Sequence, residues 1–343
     1  MTHHVGLDVS VRETSICIVD EAGTIVKEAR VPTEPSIIIE MLTAPGIACR
    51  RIGLEAGPLS QWLFNELAKA GLPAICVETR HMKAALAAQV NKTDRNDARG
   101  IAQMMRVGLY RPVHVKTRIS QEKRMLLTSR KLLQGQIRAL ENDLRGSLRT
   151  FGLKVGATSA GAFDERVREL VVEHPALAAI VGPLLAARGT LRTQFVVLHH
   201  MLLKLVRSDP ICARFMTVPG VGPIVALTFQ ATVDQPQRFA KSKTVGAHFG
   251  LAPRQHSSGE TDYSGRVSEC GDAIMRSALY EAAHTLLTHT RRWSSLKAWG
   301  VRIAMRRGLR KATVAVARKI AVILHRMWID STEFRWGAQP VAA

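Results

Sequence analysis

The sequence predicts an α/β N-terminal domain, followed by a long-helix coiled-coil region and a mainly α-helical C-terminal domain. Three observations support this prediction. Short β-branched runs alternate with amphipathic segments up to about residue 116, the apolar spacing becomes helical from about residue 118, and the last third combines an apolar helix with a strongly basic tail. The three regions are predicted at residues 1–117, 118–210 and 211–343.

The N-terminal domain opens with three predicted strands. They are short, β-branched and separated by turn-like residues, which favours antiparallel pairing: "VGLDVS" (5–10), "TSICIVD" (14–20) and "GTIVKEARV" (23–31). Helices and strands then alternate through "PSIIIEMLTA", "CRRIGLEA" (49–56), "SQWLFNELAKAG" (60–71), "PAICVET" and "RNDARGIAQMMRVG". In an α/β arrangement of this kind, ligands gather at the strand ends.

Two near-heptad seams follow in the middle region. The first has apolar residues spaced 4, 3, 4 and 4 apart, and the second has them spaced 7, 4, 3, 4 and 3 apart: Leu133, Ile137, Leu140, Leu144 and Leu148; then Leu184, Leu191, Phe195, Leu198, Leu202 and Leu205. These seams can pack on each other within one chain or pair across a dimer. The sequence leaves both alternatives open.

The charge balance points to a polyanionic partner. The chain has 48 Lys and Arg against 28 Asp and Glu, a net charge of +20, and its basic residues cluster. No acid interrupts the basic residues between positions 291 and 326: Arg291, Arg292, Lys297, Arg302, Arg306, Arg307, Arg310, Lys311, Arg318, Lys319 and Arg326. We predict that this tail contacts nucleic-acid phosphates, Arg291, Arg292, Arg302, Arg306, Arg307, Arg310 and Lys311 in particular.

Other site classes are disfavoured by the sequence. The five cysteines are scattered, odd in number and never in a CxxC pair, which argues against disulfides and a zinc site. No apolar run reaches the roughly 18 residues that a membrane span needs, and "MTHHVGLDVS" lacks the apolar stretch of a signal peptide. A cytoplasmic location is therefore predicted.

Two aspartates in "NKTDRNDARG" (91–100) stand among basic residues. On a helix Asp94 and Asp97 share one face, where two anions remain ionised together only if water screens them or a cation lies between them. The spacing therefore indicates either a solvated helix start, where acids also favour the helix dipole, or a metal site.

Two further acids lie in predicted strands. Asp8 interrupts the first apolar strand and Glu55 ends the strand "RRIGLE", although either alone can be a half-exposed acid at a strand end. With Asp94 and Asp97 they can converge in an α/β fold. Four such carboxylates suit two Mg²⁺ ions about 3.5–4 Å apart, an arrangement that serves phosphodiester chemistry.

The C-terminal region contains two further motifs. "TVPGVGPIVALTF" (217–229) resembles the hairpin of helix-hairpin-helix modules, whose backbone N–H groups contact phosphate, and a plain helix-capping turn explains it nearly as well. The stretch "KTVGAHFGLAPRQHSSGETDYSGRVSECGD" (243–272) is long, polar and rich in Ser and Gly, which indicates a functional loop.

An ordered set of motifs resembles one family over nearly the whole chain. "VGLDVS", "GLEA", "NKTDRNDA", "VPGVGPIVA" and "FGLAPRQHSSGE...GRVSECGD" are similar to the DEDD transposases of bacterial insertion sequences, the bridge-RNA-guided recombinases. The resemblance implies a ribonuclease H fold for the first domain, as in RuvC-type junction resolvases. It also implies that Asp8, Glu55, Asp94 and Asp97 form the acidic tetrad and hold Mg²⁺.

The same resemblance implies a serine nucleophile in the C-terminal transposase domain. It maps onto Ser258, with Ser257 adjacent, while Glu260 stands where many members have a second glycine. A serine hydroxyl needs activation before it attacks phosphate, and the carboxylate-bound magnesium ions would supply it provided that the two domains meet. His256 is a candidate base, although a lone loop histidine is usually just solvated.

The family resemblance also implies the partners. They are donor and target DNA duplexes, a structured guide RNA, and further copies that assemble from dimers into a tetramer, in a bacterial cytoplasm at the nucleoid. Two other functions stay open. One is a hydrolytic RuvC-like junction nuclease with water as nucleophile, and the other is a non-catalytic nucleic-acid-binding protein whose acids are structural.

Overall fold

The structure, a computed structural model, describes residues 2–87 and 91–337. The chain divides into two compact units, Met1–Lys116 and Thr117–Ala343. The predicted boundary after residue 117 lies beside this division, whereas the one predicted after residue 210 falls inside the second unit. Parts of the predicted domains, at residues 1, 88–90 and 338–343, lie outside the described residues.

The first unit has the predicted alternation of strands and helices. Its elements in chain order are β1 (His3–Val9), β2 (Glu13–Val19), β3 (Ile25–Pro32), α1 (Pro35–Leu42), β4 (Cys49–Glu55), α2 (Ser60–Lys69), β5 (Ala74–Val77), α3 (Thr79–Leu86) and α4 (Asp94–Val107). The short helix α3 was not predicted from the sequence. The remaining elements lie within a few residues of their predicted bounds.

One mixed sheet forms the centre of this unit. Its strand order is β3-β2-β1-β4-β5, with β1 in the middle. Strand β2 runs antiparallel to β1 and β3, whereas β4 runs parallel to β1 and β5. The antiparallel pairing predicted for the first three strands is therefore confirmed.

The two faces of the sheet pack against different helices. Val5, Leu7, Ile52 and Leu54 form a core with α1 and α2 on one face. Because strand side chains alternate between faces, Gly6 and Gly53 point to the other face, where α4 covers them.

The second unit is mainly helical. Its helices are α5 (Arg118–Thr150), α6 (Phe163–Val171), α7 (Pro175–Arg207), α8 (Pro210–Phe215), α9 (Pro223–Val233), α10 (Lys243–His248), α11 (Ala273–Thr288), α12 (Ser295–Arg307) and α13 (Leu309–Ile329). Between α10 and α11 lies an antiparallel hairpin of β6 (Pro253–Ser258) and β7 (Thr261–Val267). The polar stretch 243–272, expected to be a loop, therefore contains a helix and a hairpin.

The long helices α5 and α7 pack against each other within the chain. Leu144 and Leu148 share a buried cluster with Val181 and Leu185, and the buried guanidinium of Arg188 pairs with Glu141. This is the intrachain alternative for the two seams. The predicted seam residues Leu133, Ile137 and Leu140 are half-buried and Leu205 is exposed, so a coiled coil is not confirmed.

The "PGVG" motif leads into the most buried helix of the second unit. Residues 225–233 of α9 are all buried. Gly220 has a φ of +87°, and a Cβ placed there would lie 2.2 Å from the carbonyl oxygen of Ala282 on α11. The motif thus acts as a tight turn that lets the chain contact the α11 backbone, which agrees with the capping-turn alternative.

Candidate active site

Asp8 and Glu55 lie on neighbouring parallel strands. Leu7 pairs with Leu54 in the register of β1 and β4, and Gly6 pairs with Gly53. Each strand therefore presents Gly-Leu-acid in register with the other. Because side chains alternate, the two acids lie on the same face as the two glycines, at the carboxyl ends of their strands.

Helix α4 lies in backbone contact with this face. A Cβ on Gly6 would lie 2.1 Å from the Ala98 carbonyl oxygen and 2.4 Å from the Ala102 nitrogen, and one on Gly53 would lie 2.7 Å from Met105. Glycine is the residue that permits so close an approach. Since Ala98 lies over Gly6, the preceding turn of α4 lies near Asp8, and that turn contains Asp94 and Asp97.

The electrostatics of Asp8 reflect this convergence. Its pKa rises from an ordinary 3.8 to about 6, first because the carboxyl is half-buried and then because Asp94, Asp97 and Glu55 repel the ionised form. The ammonium of Lys92 acts in the opposite direction. The structure thus brings the four predicted acids into one negative field.

The chemistry of these residues fits a hard divalent cation. All four acids offer oxygen atoms, and the raised pKa of Asp8 shows negative charge that a cation would compensate. Within residues 2–87 and 91–337, no three His, Cys, Asp or Glu side chains already lie close enough to hold one ion. Mg²⁺ keeps several of its waters and binds through one or two carboxylates, so a preformed cage is not required.

The beginning of α4 also has features of an ordinary helix start. The Thr93 side chain caps the helix by accepting a hydrogen bond from the Asn96 backbone nitrogen at 3.2 Å. Asp94 is exposed in the first turn, where it favours the helix dipole, whereas Asp97 is half-buried. Both interpretations of the Asp94–Asp97 spacing therefore describe part of this turn.

Sequence reasoning missed Glu28, which links the sheet to α4. Its carboxylate accepts hydrogen bonds from Arg99 Nε at 2.5 Å and Nη2 at 2.9 Å, and from Arg95 Nε at 2.9 Å and Nη2. These bonds lower the pKa of Glu28 to about 2. The four-residue spacing of the two arginines was the signal available in the sequence, because it places them on one helix face.

A cleft of about 530 Å³ borders this linkage. It lies between strands β2 and β3 and the start of α4, and is lined by Ser15, Ile16, Glu28, Ala29, Arg30, Thr93, Asp94 and Arg95. Ser15 is the register partner of Asp8. The cleft therefore begins directly beside the acidic cluster.

Ser258 lies in the second unit, at the end of β6. It is exposed and pairs with Thr261 across a two-residue turn in which Gly259 has a φ of +55°. The imidazole of His256 stacks on the ring of Tyr263, with centroids 5.0 Å apart. By strand alternation His256 shares a face with Ser258, whereas Ser257 lies on the opposite face.

The seven predicted phosphate-binding residues are all exposed. They do not form the single helical face that the sequence suggested, because Gly308, with a φ of +81°, separates α12 from α13. Arg302, Arg306 and Arg307 lie on α12, Arg310 and Lys311 lie on α13, and Arg291 and Arg292 precede both helices. Among the described residues, none of the seven forms an ion pair.

None of the helices in the described part of the chain is both long enough and apolar enough to span a bilayer. Helix Arg118–Thr150, for example, carries charged residues along its whole length.

Comparison with known proteins finds two matching transposase families and several similar proteins. The DEDD transposase family of IS110 matches residues 5–152, and the family described as Transposase IS116/IS110/IS902 matches residues 212–298. The transposase for insertion sequence element IS1111A of Coxiella burnetii is 29% identical over 340 residues, which cover 97% of this chain and 92% of the relative. A probable family 20 transposase of Pseudomonas aeruginosa is 27% identical over 292 residues, which cover 83% of this chain and 86% of the relative.

A comparison with solved structures finds T. thermophilus RuvC in complex with a Holliday junction substrate. It aligns with 33% of this chain and 100% of its own chain, at a TM-score of 0.27 and 14% sequence identity.

Proposed function

Because the chain belongs to the DEDD transposases of insertion sequences, which cut and rejoin DNA, we propose that it is a magnesium-dependent recombinase acting through a covalent phosphoserine. The observation that supports this proposal most is the convergence of four acids. Asp8 and Glu55 emerge side by side from the sheet, and Asp94 and Asp97 lie on the helix turn beside them.

The four carboxylates are the proposed metal ligands. Magnesium ions bound there would polarise the phosphodiester and stabilise the attacking and leaving oxygens. The four acids contribute negative charge near the half-buried Asp8, whose pKa is raised by burial and by its acidic neighbours. The two glycines hold α4 against the sheet, which fixes the separation between the strand acids and the helix acids.

Ser258 is the proposed nucleophile. In the forward step its Oγ forms a bond to phosphorus, the bond from phosphorus to the leaving deoxyribose oxygen breaks, and that oxygen takes up a proton equivalent to the one the serine loses. A hydroxyl of a second DNA strand then attacks the phosphoserine, which restores a phosphodiester and returns the proton to the serine. The energy of the cut bond is thus retained for rejoining.

The choice of Ser258 over Ser257 rests on the hairpin. Ser258 lies at the tip, next to Gly259, and shares its face with the stacked His256 and Tyr263. Ser257 faces the other way and pairs with Asp262, whose carboxylate would repel a phosphate.

A suicide substrate tests the covalent step. With a DNA whose cut end diffuses away, the wild-type protein should accumulate as an adduct that resists denaturant, with the phosphate on Ser258 by peptide mapping. Ser258→Ala should bind the same DNA without forming an adduct or a joined product. The matched control is Ser257→Ala, which should form the adduct normally.

Each outcome selects one mechanism. Cleavage by Ser258→Ala at the wild-type rate would favour the hydrolytic junction nuclease, with water as nucleophile. An adduct on Ser257 would support the covalent mechanism and would show that Ser257, not Ser258, is the nucleophile. Full cleavage by Asp97→Asn would show that the acidic cluster does not take part in cleavage.

We further propose that the protein acts with a structured guide RNA on donor and target DNA duplexes, as dimers that assemble into a tetramer. The exposed basic residues of α12 and α13 support a large nucleic-acid partner. Nucleic acid that copurifies with the protein should be sequenced. A discrete RNA encoded beside the gene is the expected result, and copurification of bulk cellular RNA alone would contradict guidance.

A further inference from the structure

Glu28 lies in line with the two glycines that contact α4. In the sheet register Glu28 pairs with Cys17, Cys17 pairs with Gly6, and Gly6 pairs with Gly53. The side chain of Glu28 therefore belongs to the face that α4 covers. It is 16% exposed, which makes it one of the less solvated carboxylates of the unit.

The partners of Glu28 flank the proposed metal ligands in the sequence. Arg95 lies between Asp94 and Asp97, and Arg99 follows Asp97 by two residues. Both guanidinium groups direct their N–H donors to the two oxygens of Glu28. Two positive charges on the metal-binding turn are thereby held on the side of β3.

These charges would otherwise compete with a cation. An arginine has a long side chain and a permanent positive charge, and it forms bidentate bonds with carboxylates. Helix positions one or two residues apart do not face each other, so Arg95 and Arg99 would act on Asp94 and Asp97 through their charge and not through direct pairs. Without Glu28 to neutralise them, the two guanidinium groups would weaken the negative field at the aspartates. A divalent cation would then bind more weakly.

Building on the proposed function, we infer that Glu28 neutralises Arg95 and Arg99 and holds them on the side of β3, and so keeps the field at Asp94 and Asp97 negative enough to attract a divalent cation. Glu28 is then a positioning residue, which acts through the arginines and does not contact the metal. The remainder of α4 has separate anchors, because Arg51 Nη1 donates to the Met105 carbonyl at 2.8 Å and Gln103 Nε2 donates to the Gly23 carbonyl at 2.7 Å.

Mn²⁺ binding to the full-length protein, measured by titration calorimetry without DNA, tests the inference. Glu28→Gln should raise the Kd for Mn²⁺ about tenfold, since the two arginines are then no longer neutralised and lower the negative potential at the aspartates. The matched control is Glu13→Gln, which removes another sheet carboxylate, one that pairs with Arg30 at 2.9 Å. This control should keep the wild-type Kd.

The double variant Arg95→Gln with Arg99→Gln separates charge from packing, and it remains informative if Glu28→Gln fails to fold. It keeps Glu28 and removes the competing cations, so the Kd should equal the wild-type value or fall below it. A higher Kd would show that the linkage matters as a structural contact and would overturn the inference. A wild-type Kd in Glu28→Gln would overturn it as well.

The proposed metal site has its own check in the same titration. Asp97→Asn should weaken Mn²⁺ binding strongly. If Asp97→Asn binds like the wild type, the metal site itself is refuted. If Asp97→Asn is weakened and Glu28→Gln is not, the site stands and the role of Glu28 is refuted.

Discussion

Gly6 of β1 and Gly53 of β4 are register partners, and each precedes an acid by two residues on its own strand. The absence of two side chains lets α4 touch the sheet, and the same register brings Asp8 and Glu55 out side by side next to the first turn of that helix. The motifs "GLD" and "GLE" therefore have the same structural role. In each motif the glycine allows α4 to pack against the sheet, and the acid lies near the N-terminal end of that helix.

Adding a methyl group at Gly6 should therefore harm both the fold and the site. Gly6→Ala places a Cβ against the backbone of Ala98 and Ala102, which cannot give way as a flexible side chain would. We expect a loss of stability on the order of 3 kcal/mol, from urea unfolding of the full-length protein, together with loss of cleavage.

The control for Gly6→Ala is Gly189→Ala in α7, where a Cβ would meet no atom within 4 Å. This change should stabilise the protein by up to about 1 kcal/mol, because alanine restricts the unfolded chain and favours the helix. Equal stability of Gly6→Ala and the wild type would mean that α4 does not need its backbone contact.

Neutralising Asp8 should stabilise the metal-free protein. The pKa of Asp8 is raised to about 6 in the folded state, so its contribution to stability is fully present below 3.8 and is lost as the pH rises through 6. At pH 7.5 the wild type has an ionised carboxylate that is partly desolvated and is repelled by its acidic neighbours, and Asp8→Asn removes both penalties. Because the carboxyl is only half-buried, solvent screening reduces this effect, and the expected gain is on the order of 1–2 kcal/mol, or a few degrees in the melting temperature.

Magnesium should reverse that order. A cation bound by the four acids stabilises the wild type by mass action, whereas Asp8→Asn should respond weakly and should lose cleavage while still binding DNA. Thermal melts with and without MgCl₂ measure both effects. A lower melting temperature for metal-free Asp8→Asn would contradict the repulsion seen at this cluster.

The Glu28 linkage should appear in acid stability. The folded pKa of Glu28 is lowered to about 2 from an ordinary 4.5, so its contribution is present above pH 4.5 and is lost as the pH falls toward 2. Glu28→Gln should be less stable than the wild type at pH 6, and the two should approach each other near pH 2.5. Unfolding curves across this range, with Glu13→Gln as reference, give the comparison; a constant difference at every pH would refute it.

The basic residues of α12 and α13 should control the salt dependence of DNA binding. Replacing Arg306, Arg307 and Arg310 with alanine should lower the slope of log K against log salt by about 0.9 for each phosphate of duplex DNA that is no longer neutralised. A control variant removes three exposed arginines elsewhere, Arg138, Arg149 and Arg168. An equal change in both variants would show a diffuse charge effect in place of a defined surface.

The sequence was most informative where burial alternates along the chain. Strand β1 could be recognised because Val5 and Leu7 are apolar on one face, and Asp8 and Glu55 could be recognised because they interrupt or end such strands. The linkage of Glu28 to Arg95 and Arg99 could not be predicted from the sequence. Glu28 is separated from the two arginines by 67 and 71 residues, and only the register of the folded sheet brings them together. The hairpin of β6 and β7 was missed because neither of its faces is apolar.

That hairpin has a consequence for the timing of the proposed chemistry. Its residues are exposed from Pro253 to Arg266, and a two-stranded ribbon without an apolar face is marginally stable in water. We therefore expect the ribbon to become rigid chiefly when it rests on a nucleic acid. The proposed nucleophile at the tip of this ribbon would then be held in place only in the correct assembly, so the marginal stability of this small sheet would protect other DNA in the cell from unwanted breaks.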